Sequence, residues 1–385
     1  MDITTLTVGA VFAVGLALSL PLGYLARIRL TNNRYTHIDG MRAIAAMMVV
    51  CSHYISHAAL VLGEPTSSPL QVAFGAVGVQ IFFSITGFLF TRKAMAGPID
   101  ISALIGSRVR RIIPLFVVAM TAAILMAAYI STSLKDAPRI HWYEVAAAYA
   151  YGFYGDHAPA IAGISISGQI GQIWTLHWEW WFYLFVPFIA VVLTRGTWLL
   201  AALAFAGTCA LYQLQVEGQS WVFFLPGVLC ALVADRVKLG NVAQAAAFVV
   251  GMVAFYLSLT IGAGPYRMTQ LLLCLVGFPC LLFGNRWLLS LRPLRYLGEV
   301  SYSIYMLHLL VASGFLVIIT KDFREVFEVT DDKLWLGLVM TAGLYVLCFV
   351  TYALVERPFM RQKTARPGTQ PGAVAPSSVS IERAQ

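Results

Sequence analysis

Eleven apolar stretches, near 5–26, 42–62, 73–91, 112–130, 173–193, 197–214, 221–235, 241–262, 268–284, 300–319 and 334–355, are each long enough to cross a bilayer or nearly so. Lipid offers an open backbone no hydrogen-bond partner, so segments of this kind fold as helices packed in a bundle. Charged residues make up 11% of the 385, against about 25% in soluble domains. The fold expected is therefore all-α, a polytopic helical membrane protein with about 11 transmembrane helices around a central channel. A further run, 144–155, is only twelve residues long and leads into a Gly/Ser-rich stretch. It is read as a re-entrant or interfacial piece.

The formal charge of +8 is explained by topology, and no nucleic-acid partner is expected. If 144–155 does not span and the N-terminus lies outside, only Lys135, Arg139, Arg267, Lys321, Arg324 and Lys333 of the 26 basic residues fall on the outer side. That asymmetry follows the positive-inside rule and places the C-terminus in the cytoplasm, as expected of an inner (cytoplasmic) membrane protein. The first segment lacks a basic leader and is followed by Arg27 and Arg29, so it reads as an uncleaved helix, not a signal peptide. Residues 361–385, rich in Pro, Ser, Gly and Ala, read as a disordered cytoplasmic tail. The six cysteines lie in or beside apolar runs without a CxxC pair, and no metal site is expected.

Ionisable groups inside spanning helices are costly and mark function by default. Arg42 and His53 share one helix face, since eleven steps of about 100° make three turns plus roughly 20°, and they differ in depth by about 16 Å. In "WTLHWEWWFYLFVP", Glu179 falls about 9 Å below the outer end of a span starting at 173, a depth comparable with that of His53. A carboxylate there would fix the tautomer of an imidazole and raise its basicity, as a general base requires. His177 competes but sits shallower and points elsewhere; the tryptophans around it read as an interfacial belt. In "SRVRRIIP", Arg108, Arg110 and Arg111 form a cluster that sets topology or holds a phosphorylated ligand. "SYSIYMLH" brings Tyr302, Ser303 and Tyr305 hydroxyls below His308, and Glu356, Arg357 and Pro358 end the last helix.

In this order the motifs resemble the membrane acyltransferase family 3, bacterial O-acyltransferases of surface or secreted glycans. The resemblance covers roughly 37–360 and rests on Asp39 and Gly40 before Arg-x10-His, "GVQIFFSITGFLF" at 78–90, "RRIIP" at 110–114, "WTLHWEWWFYL", "SYSIYMLH" and "ERP". Thr175 stands where the family has serine, and residues 1–36 supply an additional N-terminal helix. The resemblance implies that Arg42 and His53 are an essential pair. Acyl-CoA, most simply acetyl-CoA, is the implied donor substrate, with no permanently bound cofactor. Arg108, Arg110, Arg111, Tyr302 and His308 are the residues expected to meet it. His53, oriented by Glu179, is expected to take the proton of a carbohydrate or glycolipid hydroxyl, among membrane lipids. A proton-coupled transporter or flippase of a lipid-linked sugar, using the same buried groups as a relay, is the alternative, and a lipid-binding scaffold a third.

Overall fold

The computed structural model of the protein describes residues 3–30, 35–62, 68–97, 99–132, 139–155, 157–195, 202, 220–261, 264–321 and 333–360. Its elements are α1 (Ile3–Leu25), α2 (His37–Leu62), α3 (Pro69–Met95), α4 (Ile101–Ser131), α5 (Trp142–Tyr154), the hairpin β1 (Ala160–Ile161) and β2 (Ile164–Ser165), and α6 (Ser167–Ile170). These are followed by α7 (Trp174–Arg195), α8 (Leu225–Val233), α9 (Asn241–Thr260), α10 (Met268–Phe283), α11 (Arg292–Glu299), α12 (Ser301–Lys321), α13 (Lys333–Thr351) and α14 (Arg357–Met360).

Seven helices among the described residues are long and apolar enough to cross a membrane, or eight if α11 and α12, bent by 69° at Val300, are taken as one span. Ser220–Val233 and Met268–Phe283 are shorter apolar helices. Ten of the eleven apolar segments thus coincide with helices, while 197–214, apart from residue 202, and the tail 361–385 lie outside the described residues. The run at 144–155 becomes the 13-residue α5, which at 1.5 Å per residue is about 20 Å long and too short to cross alone.

The innermost span is α2, with 78% of its apolar window buried, against 22% for α1 and for α9. It packs on α1, α3, α11 and α12. Small residues allow this: a Cβ on Gly40 would overlap the Leu289 carbonyl oxygen, and one on Gly298 would overlap that of Asp39. The Asp39–Gly40 step therefore seats the start of α2 directly on α11, which fixes where Arg42 enters the bundle. Two caps set the neighbouring starts. Ser68 and Gln71 form a capping box at α3, with Pro69 in its first turn. Asp100 caps α4 by accepting from the Ala103 amide at 3.1 Å.

One end of the bundle gathers the basic residues. Arg92 at the end of α3 forms a forked ion pair with Asp235 beyond α8, at 2.5 and 3.1 Å. Arg357 donates to the Ala26 carbonyl after α1 at 2.9 Å, and Arg111 of α4 meets the Met360 sulfur at 3.3 Å. At the opposite end, α5 is tied to the β hairpin by Glu144, whose carboxylate accepts from the amides of His141 (3.0 Å) and Ala162 (3.3 Å). These donors hold its carboxyl below the ordinary value of about 4.5.

Candidate active site

At the basic end a cavity of about 290 Å³ opens among α2, α3, α4, α7 and α12. Its walls include Arg42, Arg108, Arg111, Glu179, Tyr183 and Tyr302, joined by Thr86, Phe82 and Phe90 from the "GVQIFFSITGFLF" helix. Tyr183 donates to Glu179 Oε2 at 2.8 Å. The Arg108 guanidinium lies 5.2 Å from the centre of the Phe90 ring and 5.9 Å from that of Tyr183, a stacked position that holds a desolvated cation. Tyr302 donates to the Ile112 carbonyl of α4 at 2.8 Å, pinning α12 beside "RRIIP".

The charge is not balanced by direct pairing. None of Arg42, Arg108 and Arg111 forms an ion pair within 4 Å among the described residues, and the buried atoms Arg108 Nε and Arg111 Nη2 have no hydrogen-bond partner. Asp39 and Glu299 interact with Arg42 electrostatically, and Glu356, which accepts from Ser303, interacts in the same way with Arg111 and Arg42. Three guanidinium groups around one cavity carboxylate make a site for an anion, with planar forks suited to phosphate oxygens. Arg110 is exposed and does not line the cavity.

Above the cavity, residues 167–175, from α6 to the start of α7, run antiparallel to α12 in a register set by hydrogen bonds. Ser313 donates to the Gly168 carbonyl at 2.5 Å and Gln172 to the Met306 carbonyl at 2.7 Å. The Tyr305 hydroxyl sits between the Thr175 hydroxyl (2.7 Å) and the Gln172 carbonyl (2.9 Å). Four residues further along α7, Glu179 reaches the level of Arg42 and Tyr302. The expected contact between Glu179 and His53 is not formed: the span containing Glu179 starts at Ser167, not 173, so Glu179 lies about 18 Å from its start, not 9.

His53 instead meets His308, with ring centres 5.0 Å apart. His308 is fully buried and is not among the cavity walls. Tyr305 links the two places, its ring 5.8 Å from Phe82 in the cavity and 6.1 Å from His308. His57 donates Nδ1–H to the His53 carbonyl at 2.8 Å, and His177 to the Phe153 carbonyl at 2.8 Å, so both serve the backbone. Of the tryptophans, Trp181 is exposed, while Trp180 stacks on Phe153 and Trp174 meets Tyr266 edge-on.

Comparison with known proteins bears on these same helices. The model of the acyltransferase 3 family, described as an acyltransferase domain, matches residues 35–355. The chain belongs to this family. As a family acyltransferase it resembles nodulation protein 10 of Rhizobium leguminosarum bv. viciae, at 26% identity over 364 residues, covering 86% of this chain and 94% of the relative. It also resembles the putative membrane-bound transacylase BcsY of Komagataeibacter xylinus, at 26% over 362 residues and 84% and 83% of the two chains. A putative acetyltransferase of Acidianus two-tailed virus is 25% identical over 288 residues, 69% of this chain and 83% of that one. No solved structure matches. The protein is thus a multi-pass membrane acyltransferase. In this acyltransferase, the Thr175 hydroxyl is bonded to that of Tyr305. The sequence reading missed Tyr183 as a site residue, although its place four residues after Glu179 puts the two on one helix face.

Proposed function

We propose that this acyltransferase moves an acyl group, acetyl in the simplest case, from cytosolic acyl-CoA to a hydroxyl of a carbohydrate or glycolipid acceptor. The observation that carries the reading is the stacking of two sites in one bundle: an arginine-lined cavity at the basic end and an imidazole pair beyond its Tyr305 wall. The basic end would face the cytoplasm by the positive-inside rule, with the N-terminus outside, in the inner membrane. Acetyl agrees with the name of the viral relative.

Arg108 and Arg111 would receive donor phosphates, and Arg42 the charge nearest the membrane interior. The thioester arm then passes Phe82 and Tyr305 toward His53. His53 takes the hydroxyl proton as the oxygen attacks the thioester carbonyl; the carbon–sulfur bond breaks, and the thiolate takes the proton back as it leaves. The apolar surroundings limit hydrolysis of the donor. Glu179, through Tyr183 and its charge, holds the arginines at the mouth.

The test is acyl transfer from labelled acetyl-CoA by membranes carrying His53→Ala, with O-acyl signals on the acceptor read by NMR. Transfer is expected to vanish while labelled donor still binds at the arginine cavity. Undiminished transfer at normal expression would overturn the reading.

A further inference from the structure

Two carbonyl oxygens determine which nitrogen of His308 carries its proton. Nδ1 lies 2.7 Å from the carbonyl oxygen of Tyr305 and 3.2 Å from that of Ile304, both on the preceding turn of α12. A carbonyl oxygen only accepts, so Nδ1 is the N–H donor and Nε2 of the neutral ring is left as a lone-pair acceptor. That Nε2 is buried without a hydrogen-bond partner in a residue with no exposed surface. A buried acceptor without a donor is costly, which makes what faces it informative.

The neighbouring ring is His53, at 5.0 Å between centres and tilted by 38°. Two imidazoles bonded nitrogen to nitrogen at about 3 Å have centres about 5 Å apart. Separation therefore already suits such a bond, and rotation of the His53 ring is what completes it. Two nearby candidates for the orienting acceptor are already engaged. His57 spends its Nδ1–H on the His53 carbonyl, and Glu179 is bonded to Tyr183 in the cavity below.

We infer that His308 is the positioning residue of the reaction: its Nε2 accepts the ring N–H of His53 and so holds the other His53 nitrogen, as a lone pair, toward the acceptor hydroxyl. This inference rests on His53 being the base proposed above. When His53 takes the hydroxyl proton it becomes an imidazolium with two N–H groups, one kept on His308 and one later returned to the departing thiolate. His308 gains and loses no proton in the cycle. It touches neither substrate, and it replaces the carboxylate that most base histidines use.

The experiment uses the full chain in detergent, labelled with [15N]histidine, with His53 signals assigned by difference against His53→Gln. In the unaltered protein the two His53 nitrogens are expected to report a single neutral tautomer; a mixture of tautomers would overturn the inference. His308→Leu removes the acceptor, and is expected to mix the tautomers and lower kcat about 100-fold with KM for acetyl-CoA unchanged. His308→Gln places an amide oxygen near the former Nε2, and is expected to restore the single tautomer and kcat to within about tenfold. Equal loss in both variants with His53 signals unchanged would overturn the positioning role. The two levels separate cleanly: full activity in His53→Ala defeats the proposed function, whereas inactive His53→Ala with fully active His308→Leu defeats this inference alone.

Discussion

Gln172 donates its side-chain amide to the carbonyl oxygen of Met306 at 2.7 Å, and this bond sets the depth of Glu179 in the bundle. One turn later Thr175 meets Tyr305, and a further turn brings Glu179 among the arginines. The register of residues 167–175 against α12 is thus fixed by polar bonds inside an apolar interface, where each is worth about 0.6–2 kcal/mol.

Gln172→Leu keeps the volume and removes the donor. The thermal midpoint in detergent should fall, by an amount matching a loss of about 1 kcal/mol. KM for acyl-CoA should rise as well, because Thr175 and Glu179 move together against the cavity. An unchanged midpoint, measured by a thiol-reactive or tryptophan-fluorescence melt, would show that the register is set elsewhere.

The arginines of the cavity make separate predictions. Arg108 lies over the paired rings of Phe90 and Tyr183, a position that a lysine ammonium cannot reproduce. Arg108→Lys should therefore raise KM for acetyl-CoA about tenfold, the cost of roughly 1.4 kcal/mol of lost binding. Arg111→Ala should do the same, whereas Arg110→Ala, at an exposed position outside the cavity, should leave KM unchanged. Initial-rate kinetics on purified protein decide between these outcomes.

The sequence showed some of this site and hid the rest for physical reasons. Helical periodicity put Arg42 and His53 on one helix, and α2 is that helix. The clustering of Arg108 and Arg111 was legible because both flank one short basic motif. Glu179 was misplaced because 167–172, "SGQIGQ", reads as a polar loop before the span. In the fold Gln169 and Gln172 are buried, Gln172 donates to the Met306 carbonyl, and the Gly168 carbonyl accepts a hydrogen bond from Ser313. Hydropathy cannot distinguish a polar segment in water from one whose polar groups are satisfied by a neighbouring helix. The pairing of His53 with His308 joins positions 255 residues apart in the chain, and no local pattern encodes such a contact.

Gly40 supplies a stability prediction. Its Cα faces the Leu289 carbonyl, and an added methyl would overlap backbone that cannot rotate away. Gly40→Ala should push α2 off the α11 side and lower stability by about 1–3 kcal/mol. A detergent melt and the yield of folded protein measure this, and Gly9→Ala, where nothing lies within 4 Å, is the control expected to show no loss.

The last prediction concerns pH at the end of the bundle opposite the arginines. The Glu144 carboxylate accepts from the amides of His141 and, less strongly, Ala162, and these bonds hold its folded value below about 4.5. A depressed carboxyl stabilises the folded arrangement at pH above its ordinary value, and that contribution is lost as pH falls through the lower, folded one. Protonation would release the Ala162 amide and loosen the hairpin from α5. Hydrogen exchange at Ala162, corrected for intrinsic rates, should therefore speed up between about pH 6 and pH 3. In Glu144→Gln the amide is bonded by a neutral oxygen, so exchange should be faster at the upper pH and should not change across that range. A pH response of the same size in the variant would assign the effect to another group.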